Sequence, residues 1–366
     1  MNVLIAVDKF KGSLTTFEAS SIIKSAILKV KPNYNVIAFP MADGGDGFSK
    51  VLKYYLKTKT VTLNTVDPLH RKIKGHYEWD GERKTAIIEL AVASGIVLLK
   101  KQELDPLTTS TLGTGLLIKH AIKKGAKKIV LGLGGSATND GGMGIACALG
   151  YLFKDASGNE LKPCGASLSL IKTIQVPSNP IKVAFTIACD VINPLYGKNG
   201  AAYVYAPQKG ANAHQVKMLD DGLRNLAKVI LKETGVKVAT MPGVGAAGGV
   251  SAFLIAYQKV EMMNGIDLIL KYSKINKSLK KSNLIITGEG KIDNQSLSGK
   301  VVGSIVKLAK AHKSKVLLVA GMSELSPGSI LNKYEIIQLL SPKHSLKYTM
   351  THAKSILYDK VVSHFI

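Results

Sequence analysis

The chain has 366 residues, more than one ordinary hydrophobic core accommodates, so two domains are expected, and 46% hydrophobic residues exclude a disordered chain. Its formal charge of +24 rests on scattered lysines, with only Arg71, Arg83 and Arg224 as arginines and little aromatic interleaving, which weighs against nucleic-acid binding. Three widely spaced cysteines, an amino terminus that enters a strand-like run directly, and a longest apolar stretch (86–99) interrupted by Glu89 predict a cytoplasmic protein without disulfides or membrane contact.

In chain order, Val3 to Val7 reads as a buried strand running into DKFKGSL, with a helix expected from Thr15 to Val30. Val36 to Phe39 is a second strand, running into PMADGGDG and a helix from Phe48 to Leu56. Residues 61–100 alternate like antiparallel strands. A helix from Leu112 to Lys124 precedes the strand Ile129 to Leu133, which opens into the turn GGSATNDGG and a helix-compatible run. The apolar run Val183 to Ala188 leads to Asp190. Leu284 to Thr287, Val316 to Ala320 and Ile336 to Leu339 are further strands, running into GEGKIDNQSLSGK, GMSELSPGS and SPKHS.

Repeated strand, loop, helix order implies a parallel sheet with helices on both faces. The expected architecture is therefore α/β in two domains: a Rossmann-like domain from 1–60, 106–150 and 281–366, and an inserted mixed α/β domain from 61–105 and 151–280. The active site is expected in the cleft between them. Each rich loop follows a strand, and ligands of open parallel sheets sit at the carboxyl ends of strands, so these loops are expected on one edge of one sheet.

The turn at 134–142 reads as a phosphate cradle. Its glycines let backbone approach a ligand, amides at the following helix start attract anions, and Ser136, Thr138, Asn139 and Asp140 add side-chain oxygens. In DKFKGSL, Lys9 and Lys11 suit a carboxylate or a transferring phosphoryl group, Asp8 a hydroxyl or metal, while Ser13 or Thr15 also suits a helix cap. Asp43 and Asp46 lie among glycines where two carboxylates can converge. Asp190 at a strand end can accept a hydroxyl proton or coordinate magnesium. Glu289, Lys291, Asp293, Gln295, Ser296 and Lys300 form another polar loop.

GLGGSA at 132–137 and GVGAAG at 243–248 match the dinucleotide fingerprint, so an NAD-dependent oxidoreductase of a small hydroxy acid is the competing expectation. Both matches lie far from the first strand–helix unit, and Asp155 follows a turn instead of ending the next strand. SLSGKVV lacks the first glycine and the magnesium-binding hydroxyl of a P-loop, and neither HExxH nor GxSxG occurs.

Taken together, DKFKGSL at 8–14, PMADGGDG at 40–47, GGSATNDGGMG at 134–144, CDVINPL at 189–195, APQKGA at 206–211, PGVGAAGG at 242–249 and ITGEGKID at 286–293 resemble the bacterial type I glycerate kinases. The motifs run in order over nearly the whole chain. The resemblance implies a two-domain α/β fold and transfer of the ATP γ-phosphoryl group to a hydroxyl of D-glycerate with Mg2+, with 2-phosphoglycerate the expected product. Lys9, Phe48 and Asn283 depart from the family pattern, which has serine, threonine and aspartate there. On this reading Gly134, Gly135, Ser136 and Asn139 hold the nucleotide phosphates. Asp190 is a metal ligand or acceptor-orienting base, Asp43 a further catalytic candidate and Asp293 a further metal ligand. Lys11 and Ser13 face glycerate or the transferred group, with Asp8 and Lys291 also substrate-binding. ATP and glycerate are the expected partners, and a homodimer is an open expectation.

Overall fold

The structure is a computed structural model that describes residues 1–45, 47–297 and 299–366. Asp46 and Ser298, from two of the loops singled out above, lie outside the described residues. In chain order the strands are β1 (Asn2–Val7), β2 (Asn35–Ala38), β3 (Lys59–Val66), β4 (Lys72–Asp80), β5 (Thr85–Glu89), β6 (Lys128–Gly132) and β7 (Leu152–Lys154). They continue as β8 (Thr173–Gln175), β9 (Ala184–Ala188), β10 (Lys259–Met263), β11 (Leu284–Asp293), β12 (Lys315–Glu324) and β13 (Glu335–Gln338). The chain divides into two units, Met1–Asp43 with Asn264–Ile366, and Gly44–Met263.

The first unit is built on a wholly parallel sheet in the order β13-β12-β11-β1-β2. This is a doubly wound arrangement, in which strand order reverses between β1 and β11 and leaves a crevice at their carboxyl ends. Alternation along the strands sorts their side chains to two faces. Val3, Ile5, Val7, Leu317 and Val319 pack with Ile23 and Ile27 of the helix Thr16–Val30 and with Leu357 of the helix Ala353–Phe365. Ile292, Leu318 and Ala320 pack instead with Val302 and Val306 of the helix Val301–Ala311. The helix Thr16–Val30 starts where Thr15 and Glu18 form a capping box, and ends just ahead of Pro32. Its fully buried Ile23 and Ile27 contribute ~2 kcal/mol each by leaving water.

The second unit carries a mixed sheet in the order β10-β9-β6-β5-β4-β3, antiparallel through β3, β4 and β5 and parallel through β5, β6, β9 and β10. β7 and β8 form a separate antiparallel pair. The helix Leu112–Lys123 lies so close to the end of β3 that a Cβ on Gly113 would sit 1.9 Å from the Val66 carbonyl oxygen. Ile88, Ile129, Leu131 and Phe185 meet Leu117, Ile145 and Phe253 in one core.

Three expectations differ from this architecture. Residues 106–150 belong with the second sheet, because β6 lies between β5 and β9, with Ile129 opposite Ala86 on one side and Phe185 on the other. A short buried run such as KIVLG reads as a parallel strand in either sheet, and its local pattern does not name its neighbours. Residues 44–60 likewise fall in the second unit and 264–280 in the first. Consequently the rich loops stand at the carboxyl ends of two sheets, after β1, β2 and β11 in one and after β6 and β9 in the other. Finally, GEGKID and GMSE are strand, not loop: β11 and β12 stay paired as far as Asp293 and Glu324. Glycines permit that approach, since a Cβ on Gly321 would lie 2.4 Å from the Gly290 oxygen. Among the described residues no helix is long and apolar enough to cross a membrane.

Candidate active site

In the second unit, three of the singled-out segments meet at the ends of β6 and β9. The Gly44 N–H donates to Asp190 Oδ2 at 2.6 Å, and a Cβ on Gly134 would lie 2.7 Å from Gly45 Cα. Gly134, Gly135 and Ser136 form a partly exposed lip. Asn139 lies beneath it, fully buried, and neither its Oδ1 nor its Nδ2 has a hydrogen-bond partner.

The expected open helix start is closed by Asp140. Its Oδ2 accepts from Thr111 N at 2.8 Å, Thr111 Oγ1 at 2.7 Å and Gly144 N at 3.1 Å, and its Oδ1 accepts from Gly142 N at 3.1 Å. The amides that would face an anion are thus consumed by a side chain of the same turn, a contact that sequence spacing does not reveal. Burial holds the Asp140 carboxyl above its usual range, against the pull of these donors.

The cation of this site comes instead from Lys209, to which the sequence reading gave no role. Its ammonium is buried, 2% exposed, and donates to Ser136 Oγ at 2.9 Å and to the Thr138 carbonyl at 2.6 Å. Burial pushes its pKa down to about 7, with Asp140 pulling the other way. The available signal was a single lysine between Pro207 and Gly210 after an apolar stretch, within a motif shared with the resembled family.

In the first unit, Asp8, Asp43 and Glu289 follow β1, follow β2 and lie on β11. Asp8 is 4% exposed and its Oδ1 accepts the Lys9 N–H at 2.6 Å. Burial pushes its pKa up to about 7; Lys9 opposes the rise, while Asp43 and Glu289 add to it. Lys9, one of the departures from the family pattern, pairs with Asp43 at 3.3 Å. Burial also raises the Glu289 pKa, against Ser296 and Lys300, and its buried Oε1 has no hydrogen-bond partner.

The remaining residues of this unit divide between structure and exposure. The Ser13 hydroxyl donates to the Phe10 carbonyl at 3.0 Å, bracing a tight turn in which Phe10 and Leu14 bridge, while Thr15 is the helix cap. Lys291 pairs with Glu324 at 2.6 Å across β11 and β12. Asp293 Oδ1 accepts the Gln295 N–H at 2.8 Å. Lys11 is exposed at the mouth of a cavity of about 190 Å³.

Mg2+ takes one or two carboxylates and keeps waters and substrate oxygens as its other ligands, so a full protein cage is not required. Among the described residues no group of three or more His, Cys, Asp or Glu could hold a metal ion. Asp190 Oδ2, in the second unit, accepts the Gly44 N–H, and Asp293 Oδ1, in the first, accepts the Gln295 N–H; each taken alone is a carboxylate of the kind that such a cation takes beside phosphates.

The sequence profile of the Glycerate kinase family matches residues 3–363. The chain belongs to the glycerate kinase family, and so to the kinases. It is similar to a glycerate kinase of Halalkalibacterium halodurans, 39% identical over 87% of this chain and 85% of that one. It is also similar to a glycerate 2-kinase of Escherichia coli, 38% identical over 88% and 85%. A crystal structure provisionally described as glycerate kinase 2 from Salmonella typhimurium LT2 superposes with a TM-score of 0.82 at 31% identity, covering 100% of this chain and 98% of that one. The dinucleotide alternative finds no support beside this family. Asp155, which would have to bind a ribose, is tied into an exposed turn by the Ser157 and Asn159 N–H groups, and GVGAAG follows the helix Ala213–Thr234, not a strand.

Proposed function

We propose that this protein transfers the γ-phosphoryl group of ATP, with Mg2+, to a hydroxyl of D-glycerate, giving 2-phosphoglycerate. The observation that carries the reading is the family match over residues 3–363, which takes in all the loops described above. Phosphoryl transfer asks little covalent chemistry of a protein; it needs anion binding, charge neutralisation and a positioned acceptor. The lip Gly134–Ser136, held from beneath by Lys209, is suited to phosphate oxygens, and the polar Asn139 amide beneath it supplies unused hydrogen-bonding capacity. Asp190, its carboxylate oriented by the Gly44 N–H, takes the proton of the acceptor hydroxyl as that oxygen bonds to the γ-phosphorus and the bond to the departing ADP oxygen breaks. Mg2+, when bound, would neutralise phosphate charge, with Asp190 the carboxylate proposed to face it. Lys11, cationic and exposed, is suited to the glycerate carboxylate or the transferred group.

An ADP-release assay over a panel of small hydroxy acids tests the activity, and NMR of the product distinguishes 2- from 3-phosphoglycerate. Asp190→Asn is expected to lower kcat by about 100-fold or more, the scale of lost proton transfer, with little change in melting temperature. Near-normal turnover by the folded variant would remove Asp190 from the chemistry.

A further inference from the structure

We propose that the apolar slot of the first unit binds the nucleobase of the phosphoryl donor. The proposal deepens the kinase reading and rests on it. The slot stands at the carboxyl edge of the parallel sheet, beside the point where strand order reverses between β1 and β11, which is where doubly wound sheets take their ligands. Phe10, Met322, Leu339, Leu346 and Met350 wall it, and their thioether and aliphatic groups suit a flat aromatic ring. Gly290 and Gly321 line it as well, where the backbones run close together: a Cβ on Gly290 would lie 3.0 Å from the Lys11 amide nitrogen, and one on Gly321 2.4 Å from the Gly290 oxygen.

Charge and polarity narrow the occupant. At the rim stands Lys11, whose ammonium makes no hydrogen bond or ion pair among the described residues, and near it Lys291, already paired with Glu324. The polar side chains of the wall are committed elsewhere: Ser13 Oγ donates to the Phe10 carbonyl, and Thr349 Oγ1 to the Ser345 carbonyl at 3.1 Å. A ligand with a flat apolar end and an anionic tail matches this combination. Glycerate does not, because it is polar at every carbon and would press unsatisfied oxygens against leucine, methionine and phenylalanine. With the wall's polar side chains, Ser13 and Thr349, both committed elsewhere among the described residues, the slot selects by shape, so ATP and GTP should serve within about tenfold of each other.

Photolabelling with 2-azido-ATP, followed by peptide mapping, tests the placement directly. The label is expected in residues 339–353, and excess adenosine, which carries no phosphate, should block it while glycerate does not. Met350→Trp, which fills the slot, should weaken equilibrium binding of ATP about tenfold or more and leave the KM for glycerate within about twofold. Labelling elsewhere with adenosine protection, or a folded Met350→Trp that binds ATP as tightly as the parent, would overturn the proposal. Should Met350→Trp fail to fold, Leu346→Ala at a half-exposed position makes the same test, with an expected loss of about threefold and an unchanged affinity overturning it. Protection by glycerate instead of adenosine would sink the nucleobase assignment and leave the kinase reading intact. Failure to consume ATP with glycerate would sink the kinase reading, while adenosine labelling would still decide the slot.

Discussion

Asp8 and Lys209 are buried ionisable side chains, one in each unit, and they titrate in opposite senses. The Asp8 carboxyl rises from 3.8 to about 7, so between those values the folded chain holds a proton that the unfolded chain has lost. Its contribution to stability is therefore complete below pH 3.8 and fades as pH climbs through about 7. Denaturant midpoints measured across that window should fall with pH in the parent more steeply than in Asp8→Asn; parallel curves would contradict the raised value. For Lys209 the folded value drops from 10.5 to about 7, so its contribution is present above pH 10.5 and is lost as pH falls through about 7. A neutral lysine still has two N–H groups, enough for Ser136 and Thr138. Lys209→Met should lose the rise of stability between those pH values and, by leaving the buried Thr138 carbonyl and the half-buried Ser136 hydroxyl without their donor, destabilise the fold by about 2 kcal/mol at pH 9, read by chemical denaturation.

Among the elements, the six-residue helix Met143–Ala148 is too short to persist on its own, and it stands because Asp140 binds Gly142 and Gly144 while also holding Thr111 at the start of the helix Leu112–Lys123. One carboxylate therefore fastens two helix starts. Asp140→Ala should cost about 3 kcal/mol or more, and Asp140→Asn less, since the amide oxygen still accepts; thermal unfolding would show the order, and equal losses would argue against the cap. Helices such as Thr16–Val30 were legible because their signals are local, a capping box at one end and Pro32 beyond the other. The length of β11 and β12 was not, because the six-residue extension GEGKID and the four-residue extension GMSE look like loop until each supplies the other's hydrogen bonds.

At the scale of the molecule, the unequal continuity of the two units carries a prediction of its own. Gly44–Met263 is one uninterrupted stretch with its own core, whereas the first unit needs residues from both ends of the chain, including β1 in the middle of its sheet. The fragment 44–263 should unfold cooperatively by circular dichroism, and 264–366 alone should not, because β11 would be left with an unpaired edge. Cooperative melting of the shorter fragment would contradict this. The sequence by itself determined the α/β class, the strand–loop–helix order and the family, since apolar periodicity, turn glycines and ordered motifs are properties of adjacent residues. Which sheet β6 joins, that Asp140 closes the helix start expected to take phosphate, that Lys291 is spent on Glu324 and that Lys209 underlies Ser136 were decided only in the tertiary structure. Apart from the Asp140 bonds to Gly142 and Gly144, which are local, each depends on a partner tens of residues away in the chain, and local pattern carries no record of which distant group will satisfy a buried charge or pair with a strand.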